Sequence, residues 1–226
     1  MVPIPRPLLK VCGLRQPAQA AAVAALGADA IGVIAVPSSP RWLEPALRPP
    51  VFAAVQASRA DCLRVLVVAD PSDDDLARLE PGRGGHNVLQ MHGAETPERC
   101  QELRQRLPSD LRMWKALRIR SQRDLDQASS YVSVVDALLL DAWAPDQLGG
   151  TGHCLPLAWL ADFSCDLPWW LAGGITPERV SPVLAAVRPV GLDASSGVED
   201  APGLKNLDRV AALVEAVATY GQPSSL

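Results

Sequence analysis

Three side chains that could move protons stand where short apolar runs of the sequence end. Cys12 closes the first such run, Asp141 follows the sixth, and Asp193 follows the eighth. An acid and a base on different strands can act on opposite sides of one small molecule. The pattern therefore favours proton-transfer chemistry. Each residue also has a plainer interpretation, because buried cysteines often serve as small hydrophobes and a lone aspartate often caps a turn or pairs with lysine.

Glycines and hydroxyls follow the last two apolar runs. Gly173 and Gly174 end the seventh run just before a Thr-Pro-Glu helix start, and Ser195, Ser196 and Gly197 follow the eighth. Backbone amides and hydroxyls without bulky neighbours suit a phosphate dianion, especially beside a helix N-terminus. The two loops together predict a phosphate site, although a Gly-Gly pair alone also fits an ordinary tight turn.

Eight strand–helix alternations are needed to position these groups. Alternation of this kind indicates parallel strands with crossover helices, and eight units in one chain of 226 residues predict a (βα)8 TIM barrel. We expect a single domain over residues 1–226, with short disordered termini at about 1–6 and 221–226. The predicted strands are 8–12, 30–36, 63–68, 88–91, 113–117, 137–140, 169–172 and 190–192.

Alternation within the strands predicts which side chains face the barrel axis, since residues two apart share a face. The polar mouth is predicted to hold Lys10, Cys12, His92, Lys115, Asp141 and Asp193, with Gln90 on the face of His92. The helices should then cover Leu9, Val11, Leu89, Met91, Leu138, Leu140 and Leu192. Charges so close to a core imply a ligand-facing mouth in which opposite charges pair.

Other residues are predicted to start helices or fill space. Asp, Ser, Thr and Asn are good N-caps, and we expect caps at Ser72, Thr96, Ser121, Thr176 and Asn206. The Gly-rich residues 82–85 precede the fourth strand and are interpreted as a linker on the opposite face of the barrel. The tryptophans Trp114, Trp169 and Trp170 are expected to lie between strands and helices.

Composition excludes several classes of protein. The net charge is −4 without a basic run, which argues against nucleic-acid binding. The apolar runs are too short for a membrane span or a signal peptide. Five widely spaced cysteines without a C-x-x-C pair favour a reduced, cytoplasmic protein.

The motifs, taken together, resemble those of the phosphoribosylanthranilate isomerases of tryptophan biosynthesis. The resemblance spans nearly the whole chain and rests on these segments: KVCGL at 10–14, GADAIG at 27–32, SPR at 39–41, QMHG at 90–93, LLLD at 138–141, GGTG at 149–152, LAGGI at 171–175 and DASSGVE at 193–199. The family is a (βα)8 barrel that converts an aminoaldose to an aminoketose by an Amadori rearrangement. The resemblance implies that no metal or organic cofactor takes part.

The resemblance also implies residue roles. Cys12 would be the general base that removes the C2′ proton, and Asp141 the general acid that protonates the ribose ring oxygen. Arg41 would hold the anthranilate carboxylate with its planar guanidinium, although an arginine in such a loop could simply be solvated. His92 and Asp193 would orient or tune the site. The phosphate of the phosphosugar substrate would lie on Gly173, Gly174, Ser195, Ser196 and Gly197.

The sequence departs from the family at the expected aromatic wall. The second and third strands lack the phenylalanines common in members, so Trp42 or Trp143 is predicted to replace them. A monomer or a homodimer is expected. Two alternatives remain at this point: an aldose isomerase of histidine synthesis, which uses paired aspartates where this chain has Cys12, and a barrel that binds phosphorylated ligands without turnover.

Overall fold

Eight parallel strands close into a barrel in the order of the chain. The computed structural model describes residues 6–142 and 154–220, and the predicted (βα)8 fold is confirmed in them. The strands are β1 Leu8–Cys12, β2 Ala30–Ile34, β3 Leu63–Val68, β4 Val88–Met91, β5 Arg112–Ile119, β6 Ala137–Ala142, β7 Trp169–Ala172 and β8 Gly191–Ala194. Most of the predicted disordered termini lie outside the described residues.

The barrel closes where β8 pairs with β1, and this register places two charged residues side by side. Lys10 is the register partner of Asp193, while Cys12 faces Gly32 on β2. A small antiparallel pair that the sequence analysis did not predict follows β8. It consists of β9 Glu199–Ala201 and β10 Leu204–Lys205.

Seven α-helices cover the described part of the barrel. They are α1 Pro17–Ala25, α2 Arg48–Ser58, α3 Leu76–Leu79, α4 Pro81–Gly84, α5 Pro97–Arg106, α6 Pro177–Ala186 and α7 Leu207–Thr219. The crossover after β5 and the described part of that after β6 carry 3-10 helices, at Gln122–Tyr131 and Leu157–Leu160. None of the helices in these residue ranges is long and apolar enough to cross a membrane. The predicted linker at 82–85 is wrong in part, because the turn of helix α4 occupies most of it.

The predicted caps hold at four of five positions. Thr96 and Asn206 accept hydrogen bonds from the backbone N–H groups three residues on, as N-caps do. Ser72 and Ser121 form capping boxes with an aspartate three residues further. Thr176 stands at the start of α6, but its side chain does not accept the capping hydrogen bond.

The alternation of side chains separates two cores as predicted, with two corrections. The seven aliphatic residues that were assigned to the helix side all lie in the outer core. Lys115 was predicted at the mouth, which is wrong: it alternates with Trp114 and Ala116 of the inner core and lies on the outer face. Trp114 and Trp170 are also corrected, since they stack inside the barrel with ring centroids 4.8 Å apart, filling its axis.

Lys115 lies on the outer face because a buried acid is available there. Its Nζ donates to Glu95 Oε2 at 2.7 Å and to the carbonyl of Gly93 at 2.8 Å. Both groups are buried, so each charge needs the other. A single charged residue that interrupts an apolar strand does not itself indicate which face it takes.

Candidate active site

One cavity at the carboxyl ends of the strands brings together every predicted site residue. Carboxyl ends of strands are where barrel enzymes carry their reactive groups. The cavity also includes Gln90 and an apolar wall of Ile34, Val36 and Val67. The predicted residues that line it are Cys12, Arg41, His92, Asp141, Gly173, Gly174, Asp193, Ser195, Ser196 and Gly197.

The thiol of Cys12 is held tightly at the end of β1. Cys12 is buried, and an ideal Cβ added to Gly32 would lie 2.6 Å from its Sγ, so only glycine leaves the thiol its present place. Burial raises the pKa of the Cys12 thiol, while the positive charges of Lys10 and Lys205 act to lower this pKa. The two lysines therefore favour the thiolate, whereas the burial of the site disfavours it.

A buried ion pair lies beside this thiol. Lys10 Nζ is 2.6 Å from Asp193 Oδ2, and Lys10 is fully buried. Burial acts to lower the pKa of Lys10, but the charges of Asp193 and Cys12 outweigh it, so this pKa is raised and the ammonium stays charged. The second oxygen, Asp193 Oδ1, is buried and has no hydrogen-bond partner among the described residues, and Asp193 is part of the cavity lining.

Asp141 lies beside His92 across the mouth. His92 Nε2 is 3.2 Å from Asp141 Oδ2, and His92 Nδ1 is 3.0 Å from the amide nitrogen of Gln90. These three side chains come from β6, from the residue after β4 and from β4 itself. Sequence reasoning placed Gln90 on the right face without proposing a role for it, although its spacing of two residues from His92 was visible.

The predicted phosphate loops have the backbone that an anion site needs. Gly173 and Gly174 have φ values of 92° and 61°, a conformation that favours glycine and can turn successive N–H groups to one side. An ideal Cβ on Gly197 would lie 2.1 Å from the carbonyl oxygen of Ile175, so the loops after β7 and β8 are in close contact. Ser195 Oγ donates to the carbonyl of Cys12 at 3.1 Å, which joins this loop to β1.

Arg41 is buried, so the interpretation as a solvated loop residue is wrong. It is 4 % exposed, and its Nε and Nη2 donate to Glu199 at 3.0 and 2.7 Å. Glu199 also accepts from Lys205 Nζ at 2.6 Å, and Lys205 Nζ donates to the carbonyl of Ser195 at 3.2 Å. Lys205 was not predicted as a site residue and Glu199 was given no role, although Glu199 belongs to the DASSGVE segment that carries the resemblance.

The tryptophans proposed for the aromatic wall do not supply it in the described residues. Trp42 is 36 % exposed and is not part of the cavity lining. Trp143, like the segment GGTG at 149–152, lies outside the described residues. Aliphatic side chains from β2 and β3 and the loop after β2 form the apolar wall that the structure describes.

Comparison with known proteins agrees with this architecture. The family model for N-(5′-phosphoribosyl)anthranilate (PRA) isomerase matches residues 9–216. The N-(5′-phosphoribosyl)anthranilate isomerase of Synechococcus elongatus is 46% identical over 210 residues, which cover 93% of this chain and 95% of the relative.

Solved structures give the same result. The phosphoribosyl anthranilate isomerase of Thermus thermophilus has a TM-score of 0.78 and 32% identity, covering 94% of this chain and 98% of the other. An isomerase in complex with reduced 1-(o-carboxyphenylamino)-1-deoxyribulose 5-phosphate has a TM-score of 0.76 and 26% identity over 94% of this chain and 98% of the other. The chain therefore belongs to the N-(5′-phosphoribosyl)anthranilate isomerase family.

Proposed function

We propose that this protein isomerises N-(5′-phosphoribosyl)anthranilate to 1-(2-carboxyphenylamino)-1-deoxyribulose 5-phosphate in tryptophan biosynthesis. One observation carries the proposal. Cys12 on β1 and Asp141 on β6 line a single cavity, and the strands that separate them, β7 and β8, are the ones followed by the glycine and serine loops. A phosphosugar anchored between the two side chains presents its ring to an acid and a base at once.

The first step opens the sugar ring. Asp141 in its acid form gives its proton to the ring oxygen as the bond between that oxygen and C1′ breaks. The lone pair of the anthranilate nitrogen forms a C1′=N bond, which makes a protonated Schiff base and leaves Asp141 as a carboxylate. His92, 3.2 Å from that carboxylate, stabilises the charge that remains.

The second step moves a proton from C2′. The thiolate of Cys12 removes it, and the electron pair forms the C1′=C2′ bond while the Schiff base becomes an amine. The resulting enol becomes the ketone when C1′ takes up a proton and the hydroxyl gives one up; these transfers return Cys12 to the thiolate and Asp141 to the acid. Lys10 assists because its charge favours the thiolate and its pairing with Asp193 keeps that charge in place.

The remaining residues bind the two ends of the substrate. Gly173, Gly174 and Ser195 to Gly197 take the phosphate with backbone N–H groups and hydroxyls. Arg41 takes the anthranilate carboxylate, and Glu199 holds its guanidinium at the cavity wall. The aliphatic wall packs against the aromatic ring of anthranilate, and no metal or organic cofactor enters either step.

We also propose where the enzyme acts and in which oligomeric state. The enzyme acts in the cytoplasm on a small molecule, as a monomer or a homodimer, and does not bind nucleic acid. Sedimentation equilibrium of the full chain distinguishes the monomer from the dimer.

The decisive assay is the loss of anthranilate-type fluorescence when the full chain meets freshly made phosphoribosylanthranilate. We expect rapid conversion to a product of unchanged mass. A folded protein that binds the reduced product analogue without converting the substrate would support the binding-only barrel. Turnover of the aldose substrate of histidine synthesis, with none of phosphoribosylanthranilate, would support that alternative.

A further inference from the structure

Gln90 is the one amide side chain in the described lining of the cavity to which the proposed mechanism gives no role. It is 1 % exposed and lies on β4, two residues before His92 and on the same inner face. Its amide nitrogen is 3.0 Å from His92 Nδ1, and this is a contact between two nitrogens. A buried amide in such a contact constrains the proton on the ring.

The contact selects one form of the imidazole. An amide N–H group can only donate, so His92 Nδ1 must present its lone pair, and the single proton of a neutral ring then lies on Nε2. The doubly protonated ring has no lone pair for the amide to use. His92 Nε2 in turn lies 3.2 Å from Asp141 Oδ2 and has no hydrogen-bond partner among the described residues.

We propose that Gln90 is a positioning residue of the isomerase: it holds the ring of His92 in the tautomer whose proton lies on Nε2, the nitrogen that is 3.2 Å from Asp141 Oδ2. This proposal rests on the proposed function for its catalytic consequence, but not for the tautomer itself. After Asp141 has given its proton to the ring oxygen, the Nε2–H of His92, which has no other partner among the described residues, is available to donate to the new carboxylate. A stabilised conjugate base makes Asp141 a better acid at the moment of ring opening.

The surroundings of His92 make this control necessary. Asp141 on β6 and Asp193 on β8 both lie near the imidazole of His92, and Lys10 forms an ion pair with Asp193. Without Gln90, the ring could rotate or take the other tautomer. A glutamate at position 90 would accept a hydrogen bond from Nδ1–H and so favour the ring forms that the glutamine excludes.

The first test measures the tautomer and needs no turnover. Two-bond ¹H–¹⁵N correlation spectra of the ¹⁵N-labelled full chain report which ring nitrogen of each histidine carries the proton. The three histidines are assigned with His86→Gln and His153→Gln variants. We expect the neutral His92 ring to carry its proton on Nε2 in the wild type, and the ring to carry a proton on Nδ1 in Gln90→Glu. A wild-type ring protonated on Nδ1 would overturn the proposal, since the amide would then be reversed.

The second test separates positioning from a merely structural role. Gln90→Met keeps the shape of the side chain and removes the amide, so we expect kcat/KM to fall about tenfold, the equivalent of one hydrogen bond. In a His92→Asn background the same change should cost less than about twofold, because its effect passes through the ring. A full tenfold loss in both backgrounds would overturn the proposal. If wild type has no isomerase activity, the proposed function fails, and the tautomer measurement still decides the role of Gln90.

Discussion

Replacing Gly32 by alanine is predicted to displace the thiol of Cys12 without altering its chemistry. The two residues face each other across the β1–β2 pair, and the Cβ of alanine would lie 2.6 Å from Cys12 Sγ and 3.1 Å from Cys12 Cα. Gly32 does not have a positive φ, so alanine fits the backbone there. The effect of the substitution is therefore steric and local to Cys12.

The expected losses of catalytic rate and of folding stability both follow from that contact. A carbon–sulfur contact needs close to 4 Å, so the thiol must move by roughly 1 Å, and a misplacement of this size costs on the order of 100-fold in rate. Overpacking a tight site costs about 1–3 kcal/mol of stability. At about 2–4 °C per kcal/mol for a chain of this size, the melting temperature should fall by roughly 2–12 °C and leave the barrel folded at 25 °C.

The assay is kcat/KM for phosphoribosylanthranilate, with calorimetry on the same samples. Gly82→Ala is the matched control, because a Cβ there meets no atom within 4 Å, and it should leave both quantities unchanged. A folded Gly32→Ala protein with kcat/KM within threefold of wild type would refute the reasoning that the position of the thiol matters. An equal loss in the control would show that the effect is not local.

Three further predictions test the binding residues and a buried histidine. Gly197→Ala places a Cβ 2.1 Å from the carbonyl oxygen of Ile175, so the loops after β7 and β8 must separate. The inhibition constant of inorganic phosphate should then rise about 10-fold or more. An unchanged inhibition constant would exclude this loop from the phosphate site. Arg41→Ala should raise KM about 10–100-fold by the loss of a charge-assisted hydrogen bond, with partial recovery in Arg41→Lys, and an unchanged KM would exclude Arg41 from the carboxylate role. Burial lowers the pKa of His86 from 6.5 to about 4. The contribution of the neutral ring to folding stability is therefore fully present above pH 6.5 and is lost as the pH falls toward 4. Between pH 7 and pH 4, the free energy of unfolding in urea should fall by about 2–3 kcal/mol more in wild type than in His86→Gln. An equal fall of the unfolding free energy with pH in the two proteins would contradict this prediction.

The fold and most of the site were predictable because barrel geometry turns a linear pattern into a spatial one. Lys10 lies within the first strand and Asp193 within the last, and both were predicted at the mouth; closing the barrel makes them register partners that pair at 2.6 Å, a pairing that the sequence alone left open. Cys12 and Asp141 likewise follow from their positions at strand ends. The alternation of side chains and the parallel order of strands suffice to place these residues at one end of the barrel, but not to name their partners.

The rest depended on partners that come from distant loops. Lys115 takes the outer face because Glu95, from the loop after β4, supplies a buried charge there. Arg41 is held by Glu199, which lies 158 residues away in a β9–β10 pair too short to show a periodic pattern. A strand pattern contains no information on such loop-to-strand contacts.

The central claim is that Cys12 and Asp141 act as the base and the acid of one isomerisation. The most direct test is turnover of phosphoribosylanthranilate by wild type, Cys12→Ser and Asp141→Asn, with Cys100→Ser as a control for a buried thiol outside the cavity. We predict that kcat falls at least about 100-fold in both site variants and stays within a fewfold of wild type in the control. Either folded site variant that keeps kcat within about tenfold of wild type would contradict the assignment.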